Sequence, residues 1–372
     1  MAKKEKQPKK KKKPVVIVIK VIAIVLAVIV ALGLAYIGYV YFSFHRIKDA
    51  QSLTIVQGEE AGSVPVNQEL VITSYNIGFG AYSDDYTFFM DGGKSSWAFS
   101  EEAVHENIGG AMNTINETAP DIALFQEVDF DATRSYHIDE RELVVDGMAV
   151  TGDYSYIFAQ NYDSPFLMYP ITKPHGKNKA GIMTFSKFQI THAVRTSLPI
   201  EEGLSKLLDL DRCYSKSRIP TSNGSELVIY NLHLSAYTTN AETAENQLAM
   251  IVKDMQNEYN RGNYCIAGGD FNRDLLGNSP EIFHTETLED NWAAPVNEQL
   301  FTEDITLVAP FDETAPAASC RNPDKPYEVG DFVVTVDGFV KSPNVEVIYA
   351  NVIDTGFQYS DHNPVMMKFK LN

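Results

Sequence analysis

The segment Gly268-Gly269-Asp270-Phe271-Asn272 places a carboxylate and a carboxamide directly after a short apolar run. Residues 264–267 predict a buried strand, and the two glycines allow a tight turn that leaves room for a ligand. In an extended segment residues i and i+2 point the same way, so Asp270 and Asn272 can converge on one target. Such a pair suits the handling of a water molecule or a hard cation beside a phosphoryl group. An Asp-Phe-Asn turn that caps a helix is an equally ordinary explanation.

Other polar side chains end or interrupt predicted strands, or precede them, in the same way. They are Asn76, Glu127, His233, Asp337, Asp361 and His362. In layered α/β folds ligands collect where strands end on one side of the sheet, so these separate strand ends predict one shared pocket. Taken singly, each residue has a simpler explanation: Asn76 is typical of a turn, and His233 of a buried core histidine. Their joint occurrence in this order favours a site.

The elements that must position these residues are strands and two long helices. Predicted strands are 70–77, 121–128, 181–186, 212–219, 227–234, 264–267, 332–340, 345–352 and 366–371, and predicted helices are 101–118 and 241–259. Asn223-Gly224 between two apolar runs indicates a hairpin. The strand–helix–strand order over 70–128 implies a crossover between neighbouring strands. The stretches 129–178 and 273–330 are loop-rich, and the aromatic segments 81–99 and 154–169 are expected to set specificity.

Charge separates a short basic N-terminus from an acidic remainder. Residues 1–13 contain eight Lys and one Glu, whereas the whole chain of 372 residues has a net charge of −18. A body this acidic repels polyanions and lacks a basic stripe, which argues against tight, non-specific binding of long DNA. Hydrolysis of a small phosphate ester, or of a nucleic acid bridged by divalent cations, stays open.

Residues 15–42 form an apolar run that is interrupted only by Lys20. As a helix this run is long enough to cross a bilayer core of ~30 Å, and tyrosines gather near its C-terminal end. The lysine-rich tail, residues 1–14, predicts a cytoplasmic N-terminus and an extracytoplasmic body at the cell membrane. A cleaved signal peptide is the alternative, since Gly33-Leu34-Ala35 offers a small-x-small site. We favour an uncleaved anchor, because the run exceeds a typical signal-peptide core.

Residues 43–68 mix polar residues with glycine and proline and predict a linker or stalk before a folded domain at 69–372. The cysteines, Cys213, Cys265 and Cys320, form no CxxC pair, which excludes zinc-ribbon and thioredoxin-like sites. Cys265 is expected to be a buried thiol, and pairing of the other two stays open.

Six motifs in register resemble the endonuclease/exonuclease/phosphatase superfamily, which includes pancreatic-type DNases, abasic-site endonucleases, neutral sphingomyelinases and inositol-polyphosphate 5-phosphatases. The motifs are Ser-Tyr-Asn76, Phe-Gln-Glu127-Val, Tyr-Asn-Leu-His233-Leu, Gly-Gly-Asp270-Phe-Asn272, Val-Asp337-Gly-Phe and Ser-Asp361-His362-Asn-Pro. The resemblance implies an α/β fold, a four-layer sandwich of two packed mixed sheets flanked by helices. It also implies hydrolysis of phosphate esters that depends on Mg²⁺, or on Mn²⁺ or Ca²⁺.

By this resemblance Asn76, Glu127 and Asp361 would hold the metal ion, which suits Mg²⁺ because that ion takes few carboxylates and keeps several waters. Asp270 would orient or deprotonate the attacking water. Asn272 would hold a phosphoryl oxygen.

The resemblance assigns the two histidines to the phosphoryl group. His233 and His362 would donate hydrogen bonds to the charge that builds on the phosphoryl oxygens. Asp337 would pair with His362 and keep it protonated and oriented. Asn161 is a further candidate for a substrate contact, and so is Arg218, for which a solvated charge is the simpler explanation.

The sequence therefore predicts a membrane-tethered, metal-dependent phosphoesterase that works by in-line attack of water. Its substrate would be a small molecule, a lipid head group or a nucleic acid, and no obligate protein partner is evident. A nuclease is the alternative within the class. A catalytically silent binding or scaffold protein is the alternative outside it, but Glu127, Asp270 and His362 are all retained. A serine hydrolase ranks low, because no G-x-S-x-G is present.

Overall fold

A computed structural model describes residues 14–372, apart from 202, 204–205, 207–208, 237–240 and 290. The predicted basic tail at 1–13 lies outside the described residues. The chain divides into two compact units, of which the first ends at His45 and the second is Arg46–Asn372.

The first unit consists of helix α1, Pro14–Ser43, which agrees closely with the predicted apolar helix. Its most apolar 18-residue window has a mean hydropathy of 3.4, and none of that window is buried. By length and composition α1 could cross a membrane, and a signal sequence near the N-terminus would have the same properties.

The second unit contains two seven-stranded mixed sheets. The first sheet, in spatial order, is β1 (Gln51–Ser52), β7 (His192–Ser197), β8 (Cys213–Pro220), β9 (Glu226–His233), β10 (Tyr264–Asp270), β14 (Asp337–Lys341) and β11 (Thr306–Val308). The second sheet is β15 (Val345–Val352), β16 (Val365–Leu371), β3 (Glu69–Asn76), β4 (Ile122–Asp129), β6 (Lys179–Ser186), β5 (Ser155–Asp163) and β2 (Ile55–Val56). A small ribbon pairs β12 (Cys320–Arg321) with β13 (Val333–Val334).

Each large sheet contains one parallel pair, β9 with β10 and β3 with β4. The other neighbours in each sheet are antiparallel. A parallel pair needs a crossover, and helices α2 (Glu101–Glu117) and α4 (Ala241–Tyr259) supply it. The predicted crossover over 70–128 is confirmed, and so is the β8–β9 hairpin.

Helices cover the outer faces of both sheets, and α2 begins where the side chain of Ser100 accepts a hydrogen bond from the Ala103 amide. The shorter helices are α3 (Glu140–Met148) and α5 (Ser279–Phe283). Apolar residues of α2 and α3 pack on the second sheet, and those of α4 pack on the first. The facing sides of the two sheets share one apolar core, which includes Leu124 and Ile266. The predicted four-layer sandwich is confirmed.

The structure differs from the predicted elements in several places. Residues 46–68, expected as part of a stalk, belong to the compact second unit and contribute β1 and β2. The stretch 129–178, expected to be irregular, contains α3 and β5, and β7 was not predicted. The predicted strand 332–340 is divided between β13 and β14. All three cysteines are free and buried, so Cys213 and Cys320 do not pair.

Candidate active site at the strand ends

The two parallel pairs bring their carboxyl ends to one edge of the sandwich. Asn76 is the last residue of β3, His233 of β9 and Asp270 of β10. Asp337 begins β14 directly opposite Asp270, because β14 runs antiparallel to β10. Side chains from both sheets therefore meet at this edge, as the sequence predicts.

The amide nitrogen of Asn76 lies at the centre of the cluster. Its Nδ2 is 3.3 Å from Glu127 Oε1, 3.2 Å from Asp270 Oδ2 and 3.4 Å from His362 Nε2. Its Oδ1 accepts a hydrogen bond from the Gly78 amide at 3.1 Å, which fixes the side chain. Three distant segments of the chain thus converge on one side chain.

Glu127 leaves the β4 ladder at a bulge. The register shifts between Phe125 and Val128, and Glu127 has a φ of 55°, which is the left-handed region that a non-glycine residue seldom adopts. The bulge turns the carboxylate towards the cleft, where Oε1 lies 4.0 Å from His233 Nε2. Such local strain is typical of functional sites.

Asp337 holds His362 by a short ion pair. Asp337 Oδ2 is 2.7 Å from His362 Nδ1, and both residues are buried. Burial alone would lower the pKa of His362, but the Asp337 carboxylate raises it well above its ordinary value. The ring nitrogen Nε2 of a protonated His362 can therefore donate towards the cleft, where it lies 3.8 Å from Asp270 Oδ2.

His233 has the opposite electrostatic character. Burial, together with the positive charge of Arg212, lowers the pKa of His233 well below its ordinary value, so the imidazole is neutral. Its Nε2 lies 3.4 Å from Asp270 Oδ2, and its Nδ1 makes no hydrogen bond to the protein. The cleft thus places a neutral and a protonated imidazole on either side of one carboxylate.

That carboxylate, Asp270, is suited to proton transfer near neutral pH. Burial raises the pKa of Asp270 to about 7, and the charge of Asp337 adds to the effect. Its Oδ1 accepts a hydrogen bond from the Asn272 amide at 2.8 Å. Asn272 itself has a φ of 50° and donates from Nδ2 to the Leu234 carbonyl at 2.8 Å. One N–H of Asn272 therefore remains for a phosphoryl oxygen.

Asp361 supplies a second carboxylate beside Glu127. Burial raises the pKa of Asp361 to about 6, and the charge of Glu127 contributes. The Ser360 hydroxyl donates to the Asn76 carbonyl at 2.8 Å, which ties the Asp361 segment to β3. Two carboxylates whose charges repel one another form a pair of oxygen donors that a hard divalent cation fits. The predicted ligand Asn76 turns its nitrogen, not its oxygen, towards Glu127, and its oxygen is held by the Gly78 amide.

A second group of potential ligands exists among the described residues. One donor atom from each of Asp270, Asp337 and His362 lies within 4.8 Å of the others. The 2.7 Å ion pair between Asp337 and His362 already explains most of this proximity. Among the described residues Glu127 and Asp361 form no ion pair as short as this one, so both carboxylates stay available to a cation.

The two candidate substrate residues have different positions. Asn161 lies in a bulge of β5, is 1% exposed, and both of its amide atoms make no hydrogen bond to the protein. Arg218 does not join the cluster. It forms ion pairs with Glu226 and Glu258, and its strand partner Val228 lies five residues before His233 in β9. Arg218 is therefore neither a contact of this cluster nor a solvated charge, because two carboxylates bind its guanidinium.

Buried charges behind Glu127 were missed from the sequence. Arg134 binds both carboxylate oxygens of Asp129 at 2.9 Å and lies 3.7 Å over the Phe79 ring. Glu140 accepts a hydrogen bond from the Asp129 amide at 2.9 Å. The only signal in the sequence was a set of charges within a stretch that appeared irregular. Arg212, beside His233, and Cys320, whose sulfur is 3.6 Å from His362 Nε2, were also missed.

Comparison with known proteins gives one family and a consistent fold. The model of the Endonuclease/Exonuclease/phosphatase family matches residues 73–362. No curated protein matches the chain. The solved structures that it resembles include an endonuclease/exonuclease/phosphatase from Beutenbergia cavernae, with a TM-score of 0.55 and 16% identity over 82% of this chain and 72% of that one. An endonuclease/exonuclease/phosphatase family protein from Leptotrichia buccalis gives a TM-score of 0.53 and 16% identity, over 81% of this chain and 100% of that one. The human Nocturnin catalytic domain gives a TM-score of 0.51 and 15% identity, over 86% of this chain and 97% of that one.

Proposed function

The chain belongs to the Endonuclease/Exonuclease/phosphatase family, and from this premise we propose that it is a divalent-metal-dependent phosphoesterase. Its reaction is the hydrolysis of a phosphate mono- or diester by in-line attack of water. The observation that supports this proposal most directly is the arrangement around Asp270. A buried carboxylate with a pKa of about 7 lies between a neutral His233 and a protonated, Asp337-paired His362.

Glu127 and Asp361, with Asn76 beside them, would hold the ion, and Mg²⁺ is the ion that this oxygen set fits best. When bound, the ion would neutralise charge on a phosphoryl oxygen. Mn²⁺ and Ca²⁺ accept the same donors.

The residues of the chain perform the proton and charge steps. Asp270 accepts a proton from the attacking water as the water oxygen forms a bond to phosphorus. The bond from phosphorus to the ester oxygen breaks in the same step, and the leaving oxygen takes a proton from solvent and departs as the alcohol. The protonated His362 donates from Nε2 to a phosphoryl oxygen, while Asp337 fixes the ring. His233 and the free N–H of Asn272 donate to the remaining charge. Positioning and preorganised donors therefore replace a covalent intermediate.

The proposed location is the cell membrane, with α1 as an uncleaved anchor. Its apolar length and the preceding lysines support this orientation, with the N-terminus in the cytoplasm and the second unit outside. Alkaline carbonate extraction of membranes should leave the full-length chain in the pellet. Recovery of a soluble product that begins after Ala35 would instead indicate a cleaved signal peptide.

The experiment for the activity uses the full-length chain in detergent. Bis-p-nitrophenyl phosphate and p-nitrophenyl phosphate are assayed with Mg²⁺, Mn²⁺ or Ca²⁺, and then with EDTA. We expect turnover that EDTA abolishes and that Asp270→Ala removes, while the exposed Glu117→Gln on α2 leaves it unchanged.

Turnover that survives EDTA, or full activity in Asp270→Ala, would refute the proposal. Faster hydrolysis of DNA or RNA than of small esters would favour the nuclease alternative. Absence of turnover on every phosphate ester, with the fold intact, would favour a silent binding protein.

A further inference from the structure

On one side of the cleft, three buried polar side chains leave atoms without a hydrogen bond to the protein. These atoms are Nε of Arg212, both amide atoms of Asn161 and Nδ1 of His233. Arg212 is 5% exposed, Asn161 1% and His233 3%. Buried polar groups are nearly always hydrogen-bonded, so such atoms point to a ligand. Nδ1 of the neutral His233 is an acceptor when the ring donates from Nε2, so Arg212 and Asn161 are the two side chains that can donate to an anion.

Arg212 lies against the backbone of His233. Its Nη1 donates to the His233 carbonyl at 3.5 Å, which is a weak hydrogen bond. Asp270 instead contacts the ring of His233 at Nε2. Arg212 and Asp270 therefore approach opposite ends of the same residue, and an anion on Arg212 would not occupy the position of the reacting phosphoryl group.

Asn161 points to the same place from the other sheet. Ala159, two residues earlier in β5, packs in an apolar cluster with Cys213, the residue after Arg212. Asn161 is the bulged residue of β5 and is buried like Ala159, so it lies on the interior side near the end of β8 where Arg212 lies. The sulfur of Cys213 is 3.8 Å from the Gln160 carbonyl, which confirms that β5 and β8 approach closely here.

Among the described residues, Arg212 also has only a partly exposed counter-charge. Its Nη2 is 3.4 Å from Asp209, and the Asp209 carboxylate is 30% exposed. By contrast, Arg134 binds both oxygens of the buried Asp129, and Arg195 donates to the carbonyls of Gln160 and Asp211. A buried cation needs hydrogen bonds and a compensating charge, and only an anion supplies both.

We propose that Arg212 and Asn161 form an anion subsite for a second phosphate group of the substrate. This inference deepens the proposed function: the substrate is a compact bisphosphate, in which one phosphate is hydrolysed beside Asp270 and the other binds Arg212. Arg212 supplies charge and planar N–H donors, and Asn161 supplies a neutral donor. The subsite thus distinguishes a bisphosphate from a simple monoester.

The test measures binding, so that it does not depend on turnover. Fructose 1,6-bisphosphate and fructose 6-phosphate are titrated calorimetrically into the full-length chain in detergent, with EDTA present so that neither ester is hydrolysed. We expect the bisphosphate to bind at least about 10-fold more tightly than the monophosphate, since hydrogen bonds to a charged group have this magnitude. Arg212→Gln and Asn161→Ala should each reduce that ratio severalfold, and Arg212→Lys should keep part of it.

The matched control is Arg261→Gln, because Arg261 is 65% exposed and pairs with Glu258. The Arg261→Gln variant should keep the full ratio of the affinities for the bisphosphate and the monophosphate. Equal affinity of the wild-type chain for the two sugars would overturn the subsite, and so would an unchanged ratio in a folded Arg212→Gln variant. Preference for the bisphosphate without hydrolysis of any ester would refute the proposed function but not the subsite. Hydrolysis of phosphate esters without a preference for the bisphosphate would refute the subsite but not the proposed function.

Discussion

The pair between Asp337 and His362 gives a quantitative prediction. Asn at position 337 keeps the shape of the side chain but removes the charge that faces His362 Nδ1 at 2.7 Å. Both groups are buried, and Asp337 Oδ1 makes no hydrogen bond to the protein, so this contact is the main one that the carboxylate makes. A buried charge-assisted hydrogen bond contributes about 1.5–3 kcal/mol, and we therefore expect Asp337→Asn to lower kcat about 10- to 150-fold.

The assay is the initial rate on p-nitrophenyl phosphate and bis-p-nitrophenyl phosphate, with kcat and KM determined separately. Since His362 donates most strongly to charge that builds in the transition state, KM should change little. The double variant Asp337→Asn/His362→Asn should be no slower than His362→Asn alone, because the two residues act as one unit. A kcat within threefold of wild type, with an unchanged unfolding temperature, would refute the role of Asp337.

Four further predictions concern metal affinity, buried charge and pH. Glu127→Gln should raise the Mg²⁺ concentration for half-maximal activity at least about 10-fold, which a metal titration of the rate measures. Burial raises the pKa of Glu140 well above its ordinary value, so Glu140→Gln should leave the unfolding temperature nearly unchanged. Asp129→Asn should destabilise the fold by about 3–5 kcal/mol in denaturant unfolding, because it leaves Arg134 buried without its counter-charge. Burial lowers the pKa of His175 to about 3, so only the unfolded chain gains this proton between pH 6.5 and 3. Stability should therefore fall on acidification, and His175→Phe should reduce the loss between pH 6.5 and 5 by about 2 kcal/mol.

Exposed positions on the helices supply controls for these variants. Asp146→Asn on α3 should not change kcat or metal requirement, and His105→Gln on α2 should keep the wild-type dependence of stability on pH. If Glu140→Gln destabilised the fold as much as Asp129→Asn, the assignment of a protonated Glu140 would be wrong. If His175→Phe left the dependence of stability on pH unchanged, His175 would not be the cause of the loss of stability on acidification.

The sequence predicted the site where local pattern and topology agree. Asn76 and Asp270 end long apolar strands, and such strands pair in parallel when a helix follows, so their convergence could be inferred. Arg134 was overlooked although its partner Asp129 lies only five residues before it. Arg212 could not be found from the sequence, because the His233 carbonyl that it contacts lies on another strand. Arg218 was misjudged for the same reason, since its partner Glu258 lies on α4. β1 and β2 have two residues each, which is too short to show alternation.

The segment after α1 has a practical consequence for work on a soluble fragment. β1 closes one edge of the first sheet and β2 closes one edge of the second. Arg46 also binds Asp211 at 2.6 Å, directly before Arg212. Truncation at residue 60 would remove both β1 and β2. The newly exposed edge strands, β7 and β5, would then have unpaired backbone amides that can pair with other chains and cause aggregation. A fragment that begins at Arg46 keeps β1, β2 and the ion pair between Arg46 and Asp211.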